Sequence, residues 1–266
     1  MSNTLAILAG RGVLPQTLAS ANPKALFVSF EGVDVTVPTS HHLAASFNTF
    51  GALFDGLRTA GITTVTFAGA MTRPALNPAT FDAKTIALAP RLMAAMAGGD
   101  DGLLREIVAV FEGEGFTVVG PHQVVPDLVA QAGLLAGPAP DAGAMADANR
   151  GMEILHALSG VDVGQGVVVA GGLCLGVETL QGTDAMLKFV AATPADLRRA
   201  SGVFVKAAKT GQDLRVDMPA IGPDTVASVA AAGLGGIVIG AGSVLILERA
   251  KMIKALDAAG LFLLAL

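Results

Sequence analysis

The run Leu5-Ala-Ile-Leu-Ala-Gly-Arg-Gly-Val-Leu-Pro15 reads as a buried strand, a glycine turn and the first turn of a helix that continues to Ala21. Five apolar residues without alternation fit a strand covered on both faces. Gly10 and Gly12 permit a tight turn, and Pro15 suits the helix start, where its missing N–H costs nothing. Such a turn offers N–H donors at a positive helix end, so it can cradle phosphate; it can equally be a plain connection. The dinucleotide fingerprint G-x-G-x-x-G is incomplete, because Pro15 stands at its third glycine.

The same alternation continues downstream. Residues 25–30 read as a second strand, with Glu31 at its end, roughly where a Rossmann domain places a ribose-binding acid. A helix at 49–60, a β-branched strand at 62–68, helices at 84–97 and 102–112 and a strand at 116–119 complete a parallel, doubly wound outline. Arg73 falls in the loop after the strand at 62–68, at the edge where open α/β sheets bind ligands. Asp100 and Asp101 precede a helix and read either as its cap or as a metal or sugar-hydroxyl contact. His122, at a strand end, reads as structural.

The aperiodic run Ala136-Gly-Pro-Ala-Pro-Asp-Ala-Gly143 marks a domain boundary. The expected organisation is a Rossmann-like N-terminal domain over 1–135, a linker over 136–144 and a C-terminal α/β domain over 145–266. The second domain reads as strands at 167–170, 173–177, 202–206, 236–239, 244–247 and 261–264, with helices at 145–158, from Thr183 or Asp184, at 224–232 and at 249–259. The fold class is therefore α/β, a parallel sheet followed by a second domain with a mixed sheet. Residues 225–247 carry no charge and are long enough to cross a bilayer, but five glycines break them into helix, strand and strand, so buried structure is expected.

Composition narrows the function. Hydrophobic residues make up 52% of the 266, with 33 glycines, no Trp and no Tyr, which suits closely packed aliphatic layers. A net charge of -5 with no basic run argues against nucleic acid. The single cysteine, Cys174, excludes an intrachain disulfide and a cysteine-based zinc site, and a reducing cytoplasm is the expected setting.

Within a chain only 15% charged, the stretch from Val205 to Gly222 gathers Lys206, Lys209, Asp213, Arg215 and Asp217. A carboxylate among cations and glycines suits a site where magnesium and a phosphate meet, since hard cations take oxygen ligands and the anion takes Lys or Arg. A solvated, surface-paired loop is the other reading. Gly182 and Thr183 stand at a helix start, where they can donate to a phosphate, while Glu178 and Asp184 suit either a metal or a cap.

Six short motifs in one order carry a resemblance. They are Ala9-Gly-Arg-Gly-Val-Leu-Pro15, Phe67-Ala-Gly-Ala-Met-Thr-Arg-Pro74, Gly99-Asp-Asp101, Asp162-Val-Gly-Gln-Gly166, Glu178 with Gly182-Thr-Asp-Ala-Met-Leu187, and Arg215-Val-Asp-Met-Pro-Ala-Ile-Gly222. Over nearly its whole length the chain resembles the two-domain UDP-2,3-diacylglucosamine pyrophosphatases of lipid A biosynthesis, the type unrelated to calcineurin-like enzymes. The resemblance implies magnesium-dependent hydrolysis to 2,3-diacylglucosamine 1-phosphate (lipid X) and UMP, with the lipid substrate held between two domains and water attacking the sugar-side phosphate.

It also implies that Asp217 is the essential acid, as metal ligand or water-orienting base. Gly10, Gly12, Arg73, Asp100, Asp101, Gln165, Gly182, Thr183, Asp184, Lys206, Lys209 and Gln212 fall on motif positions expected to meet substrate, Lys206 and Lys209 as diphosphate clamps. Ala208 and Thr210 replace two prolines usual in the family's lysine loop. A peripheral contact with the inner membrane and a homo-oligomer, a dimer, are further expectations. The rival readings are an NAD-dependent oxidoreductase, resting on Gly10, Gly12 and Glu31, and a non-catalytic sugar-nucleotide or lipid-binding protein.

Overall fold

The structure is a computed structural model that describes residues 4–71, 76–97 and 100–266, without the side chains of residues 97, 100 and 101. The chain forms two units: Met1–Pro126 with Asp213–Asp217, and Asp127–Gln212 with Met218–Leu266.

The first unit runs β1 (Leu5–Ala9), α1 (Leu14–Ala21), β2 (Leu26–Phe30), β3 (His42–Ala45), α2 (Phe50–Thr59), β4 (Thr64–Ala68), α3 (Ala83–Ala97), α4 (Asp100–Gly113), β5 (Thr117–Val119) and the short α5 (Pro121–Val124). Among the described residues its strands form a five-stranded sheet in the order β3-β2-β1-β4-β5, with every pairing parallel. Ala6, Leu8, Leu26, Val28 and Phe30 share a core with Leu53, Phe54 and Leu57 of α2 and Val108 and Phe111 of α4. The alternate residues Ile7 and Phe27 are equally buried, so both faces are covered, as the unbroken apolar run of β1 requires.

The second unit runs β6 (Gly133–Ala136), α6 (Ala142–Ser159), β7 (Gly166–Ala170), β8 (Leu173–Val177), α7 (Thr183–Ala191), β9 (Val203–Lys206), β10 (Ala220–Ile221), α8 (Pro223–Ala231), β11 (Gly236–Ile239), β12 (Leu245–Ile246), α9 (Arg249–Ala259) and β13 (Phe262–Ala265). Among the described residues a six-stranded mixed sheet has the order β6-β13-β11-β9-β7-β8, and β10 pairs with β12 separately. Val167, Val169, Val203, Val205 and Val238 pack beneath Ala148 and Leu155 of α6. Val168, Phe204, Ile237 and Ile239 face Leu187 of α7, Val229 of α8 and Met252 of α9. Helices thus sandwich the sheet. The uncharged 225–247 stretch resolves into α8, β11 and β12, and among the described residues no helix is long and apolar enough to cross a membrane.

The division differs from the expected one in two places. Strand β6 pairs antiparallel with β13, so residues 133–136 join the second unit, and the chain divides after Pro126. The Gly/Pro run that looked like a linker connects this edge strand to α6, whose N-terminus Asp141 caps through Ala144 N at 2.7 Å. The segment Asp213–Asp217, expected in the second domain, belongs to the first unit. β3 and β6 were not anticipated because both are only four residues long, with a three-residue apolar run and no buried position.

One buried carboxylate ties α6 to the sheet. Asp147, 3% exposed, accepts Gly171 N at 2.8 Å and Gly172 N at 2.7 Å, closing the β7–β8 turn, where both glycines have positive φ. Asp147→Ala leaves two buried donors unpaired, and we expect a loss of roughly 2–4 kcal/mol in chemical denaturation. Asp147→Asn also destabilises, since its amide offers one acceptor where two are used; an Asn variant of wild-type stability would contradict this role.

Candidate functional site

The turn that carries Asp217 is built by its own backbone and by one arginine. The carbonyl of Asp213 accepts Val216 N at 3.2 Å and Asp217 N at 3.1 Å, which folds the five residues back on themselves. The Asp213 carboxylate accepts Arg215 N at 3.0 Å, Arg215 Nε at 2.9 Å and a terminal guanidinium nitrogen at 2.7 Å. The other terminal nitrogen of Arg215 reaches Glu112 Oε1 on α4 at 2.7 Å. Arg215 hydrogen bonds hold the Asp213 carboxyl below the usual carboxylate range, and the same bonds raise the guanidinium pKa. Val216 packs against the first unit's core. Asp217 follows directly, half-buried, on a turn that these contacts fix.

At the end of β5, the same unit brings His122 beside this turn. A Cβ on Gly120 would lie 2.8 Å from His122 Nδ1 and 3.0 Å from the Leu214 carbonyl, so glycine is required there for the three to fit. His122 Nδ1 is buried without a hydrogen-bond partner, and burial pushes the imidazole pKa below its ordinary value.

The glycine turn after β1 is not an open cradle throughout. Gly10 N donates to Ala68 O at 2.7 Å, and Arg11 and Ala70 exchange backbone hydrogen bonds of 2.8 and 2.9 Å. The turns after β1 and β4 are therefore stitched together, and a Cβ on Gly10 would stand 2.7 Å from Ala70 O. Gly12, at φ +99°, has open space around it. Arg73 lies outside the described residues, as do the side chains of Asp100 and Asp101.

In the second unit, Lys206 is buried, 5% exposed, at the end of β9. Its Nζ donates to Thr183 Oγ1 at 2.6 Å and to Glu178 Oε2 at 3.2 Å, and Thr183 Oγ1 donates to Glu178 Oε1 at 2.9 Å. Gly182, at φ +85°, begins α7 and places Thr183 at its first position. Gly166 makes room for this cluster, since a Cβ there would stand 2.5 Å from Glu178 Oε2 and 2.9 Å from the Phe204 ring. Lys209 forms an ion pair with Asp162, and its backbone N donates to Gln212 Oε1 at 2.9 Å. Gln165 joins the same region through its carbonyl, which accepts Ala207 N at 3.0 Å. Asp184 is exposed in the first turn of α7.

The structure thus groups Thr183 with Lys206, and Lys209 with Gln212, in the second unit, and places Asp217 and the Gly10–Gly12 turn in the first. Two residues outside the expected substrate contacts carry much of this geometry: Glu178, which the sequence offered as a metal ligand or a cap, is the partner of Lys206, and Arg215 anchors the Asp217 turn. The signal for Glu178 is Gly166, a glycine starting the apolar strand Gly166–Ala170 that leaves space for a neighbouring side chain. Among the described residues no group of three or more His, Cys, Asp or Glu side chains is arranged to hold a metal ion.

Fold and charged clusters define a two-unit α/β protein with ionisable groups gathered at strand ends and helix starts. It belongs to the LpxI family: the LpxI N-terminal domain model matches residues 4–128 and the LpxI C-terminal domain model matches residues 131–264. The chain is similar to the UDP-2,3-diacylglucosamine pyrophosphatase LpxI of Caulobacter vibrioides, with 39% identity over 271 positions, covering 98% of this chain and 96% of that protein.

Two outcomes follow from this geometry. Arg215→Lys keeps the charge but loses the planar fork, so exchange of the Val216 and Asp217 amides should speed by roughly tenfold, about 1.4 kcal/mol of local opening; unchanged exchange would show that the turn holds itself. His122 is favoured neutral in the fold, so its stabilising contribution is complete above the ordinary value of 6.5 and is lost as pH falls below it. The thermal midpoint should therefore drop more steeply toward about pH 5 in the wild type than in His122→Gln. Parallel pH curves would exclude His122 as the cause.

Proposed function

We propose that this protein hydrolyses UDP-2,3-diacylglucosamine to UMP and 2,3-diacylglucosamine 1-phosphate, lipid X, in lipid A biosynthesis. The observation that carries the reading is the similarity to the Caulobacter enzyme along 98% of the chain, together with both domain matches. One phosphoanhydride P–O bond breaks, the water oxygen joins the sugar-side phosphorus, and the water's protons pass to the phosphates and solvent.

Diphosphate hydrolysis depends on positioning and charge neutralisation more than on covalent chemistry. Magnesium typically takes one or two protein carboxylates and completes its shell with water and substrate phosphates. An acid on a fixed turn, Asp217, fits that mode. In this reading Asp217 holds magnesium or orients the attacking water, and the ion, when bound, neutralises charge on the diphosphate. Lys209 and the α7 start at Gly182 and Thr183 meet phosphate oxygens. Lys206 acts beneath them, keeping Thr183 oriented and adding positive charge that Glu178 partly offsets.

The product carries two acyl chains, which favours work at the inner-membrane surface by peripheral contact. Leu180, Phe189 and Leu197, 97%, 69% and 59% exposed, give the second unit apolar groups for such a contact. A homodimer draws no comparable support from the apolar 225–247 stretch, because Val226, Val229, Ile237, Val238, Ile239 and Val244 are buried within the unit.

The test is UMP release from UDP-2,3-diacylglucosamine with magnesium, comparing the wild type, Asp217→Ala and an EDTA control. The wild type should turn over, chelation should stop it, and Asp217→Ala should lose on the order of a hundredfold or more in kcat. Binding without turnover by the wild type would replace the enzyme with a binding protein, and equal turnover by both forms would remove Asp217 from the chemistry.

A further inference from the structure

Both lysines of the second unit's charged cluster are neutralised within the fold. Lys206 Nζ lies 3.2 Å from Glu178 Oε2, and Lys209 pairs with Asp162. The first pair closes into a ring, because the Thr183 hydroxyl donates to Glu178 Oε1 and accepts from Lys206 Nζ. That hydroxyl has no hydrogen left for a ligand, so the donors remaining at the start of α7 are backbone N–H groups. The ring is braced by backbone as well. Glu178 N donates to Gly166 O at 2.7 Å, and Gly164, at φ +63°, passes so close to the Glu178 carbonyl that a Cβ would stand 2.1 Å from its oxygen. Asp184, in the first turn of α7, adds a further negative charge.

A diphosphate alone would be met best by uncompensated lysines, so the paired carboxylates call for a reason. Hydrolysis supplies one. Within the diphosphate each phosphate carries one negative charge, whereas after cleavage each is a monoester carrying about 1.5 to 2 at pH 7. Uncompensated lysines would therefore hold the products more tightly than the substrate, and slow product release limits turnover in many enzymes. We propose that Glu178, seconded by Asp162, is a positioning residue for product release: it holds Lys206 beneath the α7 start while cancelling the charge that would retain a monophosphate. Glu178 carries the larger share, since its side chain is 14% exposed against 66% for Asp162, whose charge water and salt screen. This role rests on the hydrolase reading above.

Product inhibition of lipid hydrolysis tests it, with UMP and 2,3-diacylglucosamine 1-phosphate as the inhibitors. Glu178→Gln keeps an acceptor for the Thr183 hydroxyl but removes the charge. One of the two products should inhibit it roughly tenfold or more strongly than the wild type, while KM shifts far less and the first turnover outruns later ones. Adding Lys206→Met restores the wild-type charge balance and should return product inhibition toward the wild-type level. Asp162→Asn should show a smaller rise, roughly two- to threefold, that about 0.5 M salt removes. Asparagine tolerates the left-handed backbone of Asp162, at φ +58°, so this second variant decides the matter where Glu178→Gln does not fold. Unchanged product inhibition in the folded variants would overturn the proposal, and so would equal weakening of substrate and product, which would mark Glu178 as a brace for α7 alone. Both results leave the hydrolase standing. Failure of the wild type to turn the lipid over would sink the hydrolase, and the release role with it.

Discussion

Arg215 lies between two carboxylates, Asp213 on its own turn and Glu112 on α4, and it satisfies both. The chain leaves the second unit after Gln212, gives five residues to the first and returns at Met218. Such a short excursion has few apolar side chains to hold it, and Val216 is the one that reaches the core. Position must therefore come from directed bonds. A planar fork supplies them, and the two backbone N–H groups donated to the Asp213 carbonyl close the turn. Arg215 offsets the charge of one of its two partners, and Arg105 adds a second positive charge near Asp213.

The second unit meets a similar demand by burial. Lys206, at the end of a strand whose other residues are apolar, would be costly alone, and Glu178 and Thr183 make it tolerable. Its partners come from the residue just after β8 and from the first position of α7, so one ammonium links the ends of three elements. The glycines serve that arrangement: Gly166 clears space for the Glu178 carboxylate, and Gly182 takes the left-handed backbone that turns the chain into α7. In the first unit, Gly10 has the same kind of function, permitting backbone to meet backbone between the turns after β1 and β4.

Much of this was legible in the sequence, for definite reasons. Central strands such as β1, β7 and β11 are buried on both faces and read as unbroken apolar runs, and α9 shows the bounds expected of it. Four-residue strands with no buried residue carry a weaker signal, which is why β3 and β6 were missed and the boundary was set too late. Asp217 stood out because charge is scarce and its motif is distinctive. The pairing of Glu178 with Lys206 across 28 residues was not visible, since it depends on sheet register, Gly166 lying opposite Lys206 in the β7–β9 ladder. The excursion of Asp213–Asp217 into the first unit was hidden for the same reason: a local charge pattern does not tell which core a turn docks on.

The central claim is that the acid on this turn drives hydrolysis of a lipid-linked diphosphate. Phosphorus NMR of UDP-2,3-diacylglucosamine with stoichiometric protein and magnesium tests it in one trace. The wild type should convert the paired diphosphate resonances into two monophosphate resonances within a single turnover, while Asp217→Asn, which keeps the shape of the turn, should bind the substrate and leave the diphosphate intact. Conversion by the Asn form at the wild-type rate would contradict the account.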